Sequence, residues 1–215
     1  MARTATLTPL QLAALGVLLE RAMHPYEAYQ LLAERRTDMV VKLKPGTLYH
    51  AIGRLAESGH LRVVGTDRAG NRPERTTYEI TDLGRTAFLD AIAEIVRVPV
   101  YEYPRFPLGL SEIHNFEPDR ARELLSERHR VLTGEADALA TALERCDERG
   151  IPRVHVLEVE YALHQTRAEV TWLESLIERI GDDHALPWHG APTPETLQAV
   201  SAVACEHGSA LHPLP

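Results

Sequence analysis

The stretch from Lys42 to Arg62, KLKPGTLYHAIGRLAESGHLR, constrains the fold more than any other part of the chain. Pro45 suits a first helical turn, because its φ is already helical and its missing N–H is not needed there. Gly59 suits a helix end, since glycine accepts the left-handed conformation that closes one. Between them Leu48, Ala51, Ile52 and Leu55 recur at i, i+3, i+4 and i+7, which predicts a helix with one apolar stripe. The opposite face carries Gly46, Tyr49, His50, Gly53, Arg54 and Glu57. Each glycine on an exposed helical face costs about 1 kcal/mol against alanine. Such a face is explained when something bulky must approach the backbone. Lys42 and Lys44 stand just before the helix start, where free N–H groups already attract anions. The combination fits the major groove of double-stranded DNA, against the plainer reading of an ordinary surface helix.

Charge distribution agrees with that reading although the total, −8, argues against it. Residues 1–97 hold 13 Lys or Arg and 11 Asp or Glu, a net +2, while the remainder holds 10 and 20, a net −10. From Lys42 to Arg75 the counts are 7 and 3, a net +4. A basic patch on an acidic chain can bind DNA while the other faces stay away from phosphates.

Two helices precede the central one. Thr8-Pro9 is a cap followed by proline at the first helical position, and Leu10, Ala13, Ala14, Val17 and Leu18 then form a stripe. His24-Pro25 starts a second helix over 25–35, with Tyr29 and Leu32 inward and Tyr26 in the first turn, where it either faces outward to a phosphate or is an ordinary core or surface tyrosine. After Gly59 the period changes to two. Leu61, Val63 and Val64 suit one strand, and Thr76, Tyr78 and Ile80 a second. The loop between them carries Arg68, Asn71 and Arg72. Three helices followed by a basic hairpin is the layout of a winged helix, whose wing reaches phosphates or the minor groove.

The segments HPYEAYQLL, KPGTLYHAIGRLAESGHLR and RTTYEITDLGRTAF resemble the PadR family of transcriptional regulators over about the first 90 positions. The family's tyrosine of the second helix is matched by Tyr26, and its small-hydrophobic-Tyr pattern by Thr47-Leu48-Tyr49. Ile52 and Leu55 keep the leucine register, and Gly53 is a departure. The Tyr-x-Ile-Thr-x-x-Gly pattern is matched by Tyr78, Ile80, Thr81 and Gly84. The resemblance implies a homodimeric winged helix-turn-helix repressor of inverted repeats with ATGT and ACAT halves, released by small ligands such as phenolic acids or drugs. It also implies that the C-terminal helices form the dimer interface.

Thr81 caps a helix running to Arg97, after which Pro99, Pro104 and Pro107 predict an extended linker over 98–117. Tyr101, Tyr103, Phe106 and Phe116 crowd this linker in a chain with only 6% aromatics. Packing under the linker is one reading. A pocket for a small aromatic effector, with Trp172 as a further wall, is the other. Pro118 opens a helix to Gly150 in which Leu125, Leu132, Leu139 and Cys146 repeat every seven residues. Pro152 opens another to Gly181, with Leu157, Tyr161, Trp172 and Ile177 among its apolar positions. Two antiparallel helices with such stripes ask for a partner, and the same helices of a second subunit supply one.

Over 182–215, Thr193-Pro194 starts one short helix that Gly208 ends. Cys205 and His207, with His184, His189 and His212, match no zinc spacing. No phosphate-binding glycine loop or hydrolase motif is visible, so neither a cofactor nor an enzyme is expected. The two cysteines make no disulfide framework and no apolar run is long enough to span a membrane, so a cytoplasmic protein is expected. The reading is a mainly α protein: a winged helix-turn-helix domain with a small β-hairpin wing over 1–97, a linker, an antiparallel two-helix dimerisation domain over 118–181 and a tail. Its function is DNA-binding transcriptional regulation as a homodimer. The alternative is a winged-helix module that binds protein and not DNA.

Overall fold

The computed structural model describes residues 7–67, 75–100, 102–180, 182, 184–188 and 193–211. The chain divides into two units, Met1–Glu102 and Tyr103–Pro215. Among the described residues no helix is long and apolar enough to cross a membrane.

The first unit opens with α1 (Pro9–Leu18). Thr8 and Gln11 form a reciprocal capping box that satisfies two of the helix's free N–H groups. Helix α2 (Pro25–Glu34) starts at the predicted proline with His24 as its cap, and α3 (Pro45–Glu57) ends at Gly59, whose φ is +78°. Leu48, Ala51, Ile52 and Leu55 of α3 are all buried. Leu48, Ile52 and Leu55 pack with Leu15 and Leu18 of α1 and with Ala28 and Leu32 of α2. Each such leucine or isoleucine contributes about 1.5–3 kcal/mol. That outweighs the roughly 2 kcal/mol its two glycines cost the helix.

Strands β1 (Leu61–Asp67) and β2 (Arg75–Ile80) form the antiparallel wing, with Leu61 opposite Ile80 and a bulge between Val63 and Gly65. Met23, between α1 and α2, pairs with Tyr78 as an isolated antiparallel bridge outside the two strands. Helix α4 (Asp82–Arg97) follows at once. The Thr81 hydroxyl accepts from the Gly84 N–H at 3.1 Å and donates to the Gly59 carbonyl at 2.7 Å. A Cβ on Gly84 would stand 2.1 Å from the His60 carbonyl oxygen, so only glycine fits. Phe88 packs on the core, while Leu83 and Ile95 are exposed.

The second unit departs from the sequence-based expectation in three places. The expected linker is not extended throughout: Arg105–Ser111 forms α5, and Phe106, Leu110 and Ile113 pack into the core of this unit. Proline is acceptable in a first turn, where no N–H is required, so Pro107 opens a helix as easily as it breaks one. Helix α6 (Pro118–Glu148) starts as expected, but α7 (Leu157–Arg179) begins five residues after Pro152, following a 3₁₀ turn over Arg153–His155. The last helix, α8 (Pro194–Leu211), is 18 residues long and passes through Gly208. Helices α6 and α7 run antiparallel, as the pairs Arg122 with Ile180 and Arg128 with Glu169 show.

Candidate nucleic-acid interface

Helix α3 spends its whole apolar stripe on the core, so its other face is determined by what is left. Tyr49, His50, Gly53, Arg54 and Glu57 line a shallow open depression there. A Cβ added at Gly46 or Gly53 would meet nothing within 4 Å. These glycines therefore answer no packing demand inside the chain. No side chain caps the start of α3, which leaves the positive end of the helix open to an anion. The Thr47 hydroxyl donates to the Lys44 carbonyl at 2.9 Å, so its lone pairs and methyl group are what remain to meet a ligand.

The cations of this unit fall into two sets. Arg21 pairs with Glu27 at 2.6 Å, Arg35 with Glu20, and Arg62 with Glu79 across the wing strands. The Arg35 guanidinium beside Glu20 holds that carboxyl below its ordinary range, and Arg21 does the same to Glu27. Lys42, Lys44 and Arg54 make no ion pair among the described residues, and all three are exposed. Three unpaired cations thus stand on and before α3, while Arg21, Arg35 and Arg62 are each paired with a carboxylate.

Tyr26 is exposed on α2, and its phenol oxygen accepts from Gln30 Nε2 at 3.3 Å. Tyr49 is exposed on α3. The structure thus brings Lys42, Lys44, Gly46, Thr47, Tyr49, His50 and Arg54 onto one helix and its entry, with Tyr26 on the adjacent helix. Arg68, Asn71 and Arg72 of the wing tip lie outside the described residues.

In the second unit the candidate residues divide differently from the expectation. Leu125 and Leu139 are buried within the single chain. Leu132 and Ile177 pack partly against the same core as Leu125. A side chain fully buried within its own chain cannot also present itself to a partner, so Leu125 and Leu139 serve the intrachain core, and Leu132 and Ile177 do so only in part. Leu157, Tyr161 and Trp172 are exposed instead, together with Val131. Of the aromatic set, Phe106 and Trp172 meet edge-on with centroids 6.3 Å apart. Phe116 is half-exposed, and its carbonyl accepts from Trp188 Nε1 at 2.8 Å. Tyr103 is 77% exposed. Tyr101 lies outside the described residues.

Two residues went unnoticed in the sequence. Arg128 occupies the step between Leu125 and Leu132 where an apolar residue would continue the seam. It pairs with Glu169 at 2.6 Å, and its guanidinium lies 3.7 Å from the Phe106 ring centre. A charge interrupting a seven-residue repeat was the available signal. His24 was read only as a helix start, yet its ring also touches Tyr49. Among the described residues no group of three or more His, Cys, Asp or Glu side chains could hold a metal ion.

Comparison with known proteins follows the same division. Residues 14–90 match the model of the transcriptional regulator PadR-like family. The fold is similar to that of Bacillus subtilis PadR solved with operator DNA, at 22% identity and a TM-score of 0.67, covering 80% of this chain and 97% of that one. It is similar also to Bacillus subtilis PadR solved with p-coumaric acid, at 21% identity and a TM-score of 0.67, covering 80% and 99%. A PadR-like transcriptional regulator from Bacillus cereus matches at 16% identity and a TM-score of 0.56, covering 80% and 97%. No curated protein matches the chain in sequence. Residues 14–90 are therefore similar to the PadR-like family of transcriptional regulators, and the fold of the chain is similar to that of PadR.

Proposed function

We propose that this chain is a cytoplasmic, homodimeric repressor that binds an inverted-repeat operator and is released by a small aromatic ligand. The observation that carries the DNA-binding part is the outer face of α3. Its glycines answer no internal contact, and the cations on and before the helix are unpaired. In this reading α3 enters the major groove, with Gly46, Thr47, Tyr49, His50 and Arg54 nearest the base edges and Lys42 and Lys44 on phosphates. Tyr26 donates to the backbone of the same strand. Arg68, Asn71 and Arg72 contact the backbone or minor groove and position the protein without specifying sequence.

One subunit supplies one recognition helix, and an inverted repeat needs two about 34 Å apart. The exposed apolar residues Leu157, Tyr161 and Trp172 are the surface proposed for the second subunit. The effector reading rests on the Phe106–Trp172 pair with Arg128 above Phe106. Two rings and a cation suit a flat aromatic acid, the class of ligand with which Bacillus subtilis PadR was solved.

The test is DNA binding over a salt series, with a duplex enriched by the protein itself from a random-sequence library. Contacts made by lysine and arginine give an affinity that falls linearly with salt on logarithmic axes. A flat response, or no enriched sequence, overturns the reading in favour of a protein-binding module. Light scattering at micromolar concentration is expected to show a dimer. Phenolic acids are expected to quench tryptophan fluorescence and weaken DNA binding together.

A further inference from the structure

His24 stands where three elements meet. Its predecessor Met23 exchanges both backbone hydrogen bonds with Tyr78 of the wing, at 3.0 and 3.1 Å. His24 itself caps α2, its Nδ1 accepting from the Tyr26 N–H at 3.1 Å. Its ring meets the Tyr49 ring of α3 edge-on, with centroids 6.0 Å apart and planes at 75°. Tyr26 and Tyr49 sit on different helices and both expose their rings, by 53% and 42%. Gln30 donates to the Tyr26 phenol oxygen, so the phenol's own proton is left for another acceptor.

A residue needed only to cap α2 has better choices, since Ser, Thr, Asp and Asn lead at that position. None of them carries a ring to set against Tyr49. A residue needed only to pack on Tyr49 requires no acceptor nitrogen. Imidazole does both at once, and edge-to-face contact favours one relative placement of the two rings over others. An Nδ1 that accepts the Tyr26 N–H carries no proton, so the ring N–H is at Nε2.

We propose that His24 is a positioning residue for DNA reading, fixing Tyr26 and Tyr49 relative to each other so that both phenols meet one duplex in register. The inference rests on the DNA-binding reading of α3 given above.

Two variants separate the contacts of His24. His24→Asn keeps a capping acceptor and removes the ring. His24→Phe keeps a ring against Tyr49 and removes the acceptor. Each is measured against the duplex enriched by the wild-type protein and against the unselected pool, with thermal unfolding alongside. His24→Asn is expected to leave the unfolding midpoint in place and to lose about tenfold in affinity for the enriched duplex, the equivalent of one contact. Its binding to the unselected pool is expected to change little, which a merely structural role would not produce. Adding Tyr49→Ala to His24→Asn should cause no further loss, because His24 acts there through Tyr49.

His24→Asn binding the enriched duplex as tightly as the wild type overturns the proposal, as do losses that add in full. If His24→Asn does not fold, His24→Phe decides. Adding Tyr26→Ala to His24→Phe is expected to cost nothing more, and full additivity overturns the proposal. A wild-type chain that enriches no sequence defeats the DNA-binding reading and this inference with it, a result visible before any variant is made.

Discussion

Helices α3 and α6 both carry an apolar stripe, and both bury it inside their own unit. What they leave outside is opposite. Helix α3 presents a tyrosine, a histidine, an arginine and two bare glycines. The α6–α7 unit presents Val131, Leu157, Tyr161 and Trp172. A polar face with unpaired cations has no reason to leave water for another protein, but it suits a polyanion. An apolar face of this kind suits a protein surface and gains nothing from phosphate. The leftover face of a helix therefore says more about its partner than the stripe does.

The sharpest way to break this comparison is inside the seam. Leu139→Ala is expected to destabilise the second unit by about 2–5 kcal/mol, read by urea unfolding, because a buried leucine is lost from a packed cluster. If Leu139 instead belonged to a subunit interface, the loss would appear as dissociation that depends on protein concentration. The matching change on the other unit is Arg54→Ala. It is expected to cost about 1–3 kcal/mol of DNA binding if Arg54 reads a base, and to leave unfolding unchanged. Equal binding by the two proteins would remove Arg54 from the interface.

A smaller and more informative change is Gly53→Ala. The added methyl group meets nothing within 4 Å, so the helix should gain about 0.5–1 kcal/mol. DNA affinity is expected to fall as the methyl occupies the space left for the duplex. Stability and binding moving in the same direction would contradict the idea that Gly53 makes room for a ligand.

The smallest effect concerns the neutralised cations. Glu20 has its pKa lowered by Arg35, so the pair contributes stability above the carboxylate range and loses it as pH falls through that range. Both side chains are nearly half exposed. A pair of that kind is worth about 0.2–1 kcal/mol. Glu20→Gln should therefore lower the unfolding midpoint slightly at neutral pH and converge with the wild type once the pH has fallen through the lowered pKa of Glu20. DNA binding should not change, because this pair lies off the α3 face.

The first unit was largely legible in the sequence. Its helix limits are set by local chemistry: Thr8 acts through its hydroxyl, and Pro9, Pro25, Pro45 and Gly59 through their own backbone. The α3 stripe is likewise a matter of spacing alone. The second unit was less legible because its decisive facts are tertiary. The seven-residue repeat of Leu125, Leu132 and Leu139 looks the same whether the facing helix belongs to the same chain or to another. Only the docking of α7 shows that it faces inward. The three prolines before α6 break a helix or start one according to which N–H groups are needed. Arg128 acquires its meaning from Glu169 and Phe106, which are distant in sequence.

The junction of Gly84 with the His60 carbonyl has a mechanical consequence. It joins the exit of α3 to the entry of α4 with no space for slip, and Thr81 bolts the same joint through Gly59. Helix α4 has 16 residues and is therefore a shaft about 24 Å long. A tilt of about 5° about this joint moves its far end by about 2 Å at that helix length. Run in reverse, a displacement of an ångström or two at Arg97 corresponds to a tilt of a few degrees at the joint with α3, against which Phe88 also holds α4 on the core. A lever arm of this kind turns a small push at one end into a smaller rotation at the other.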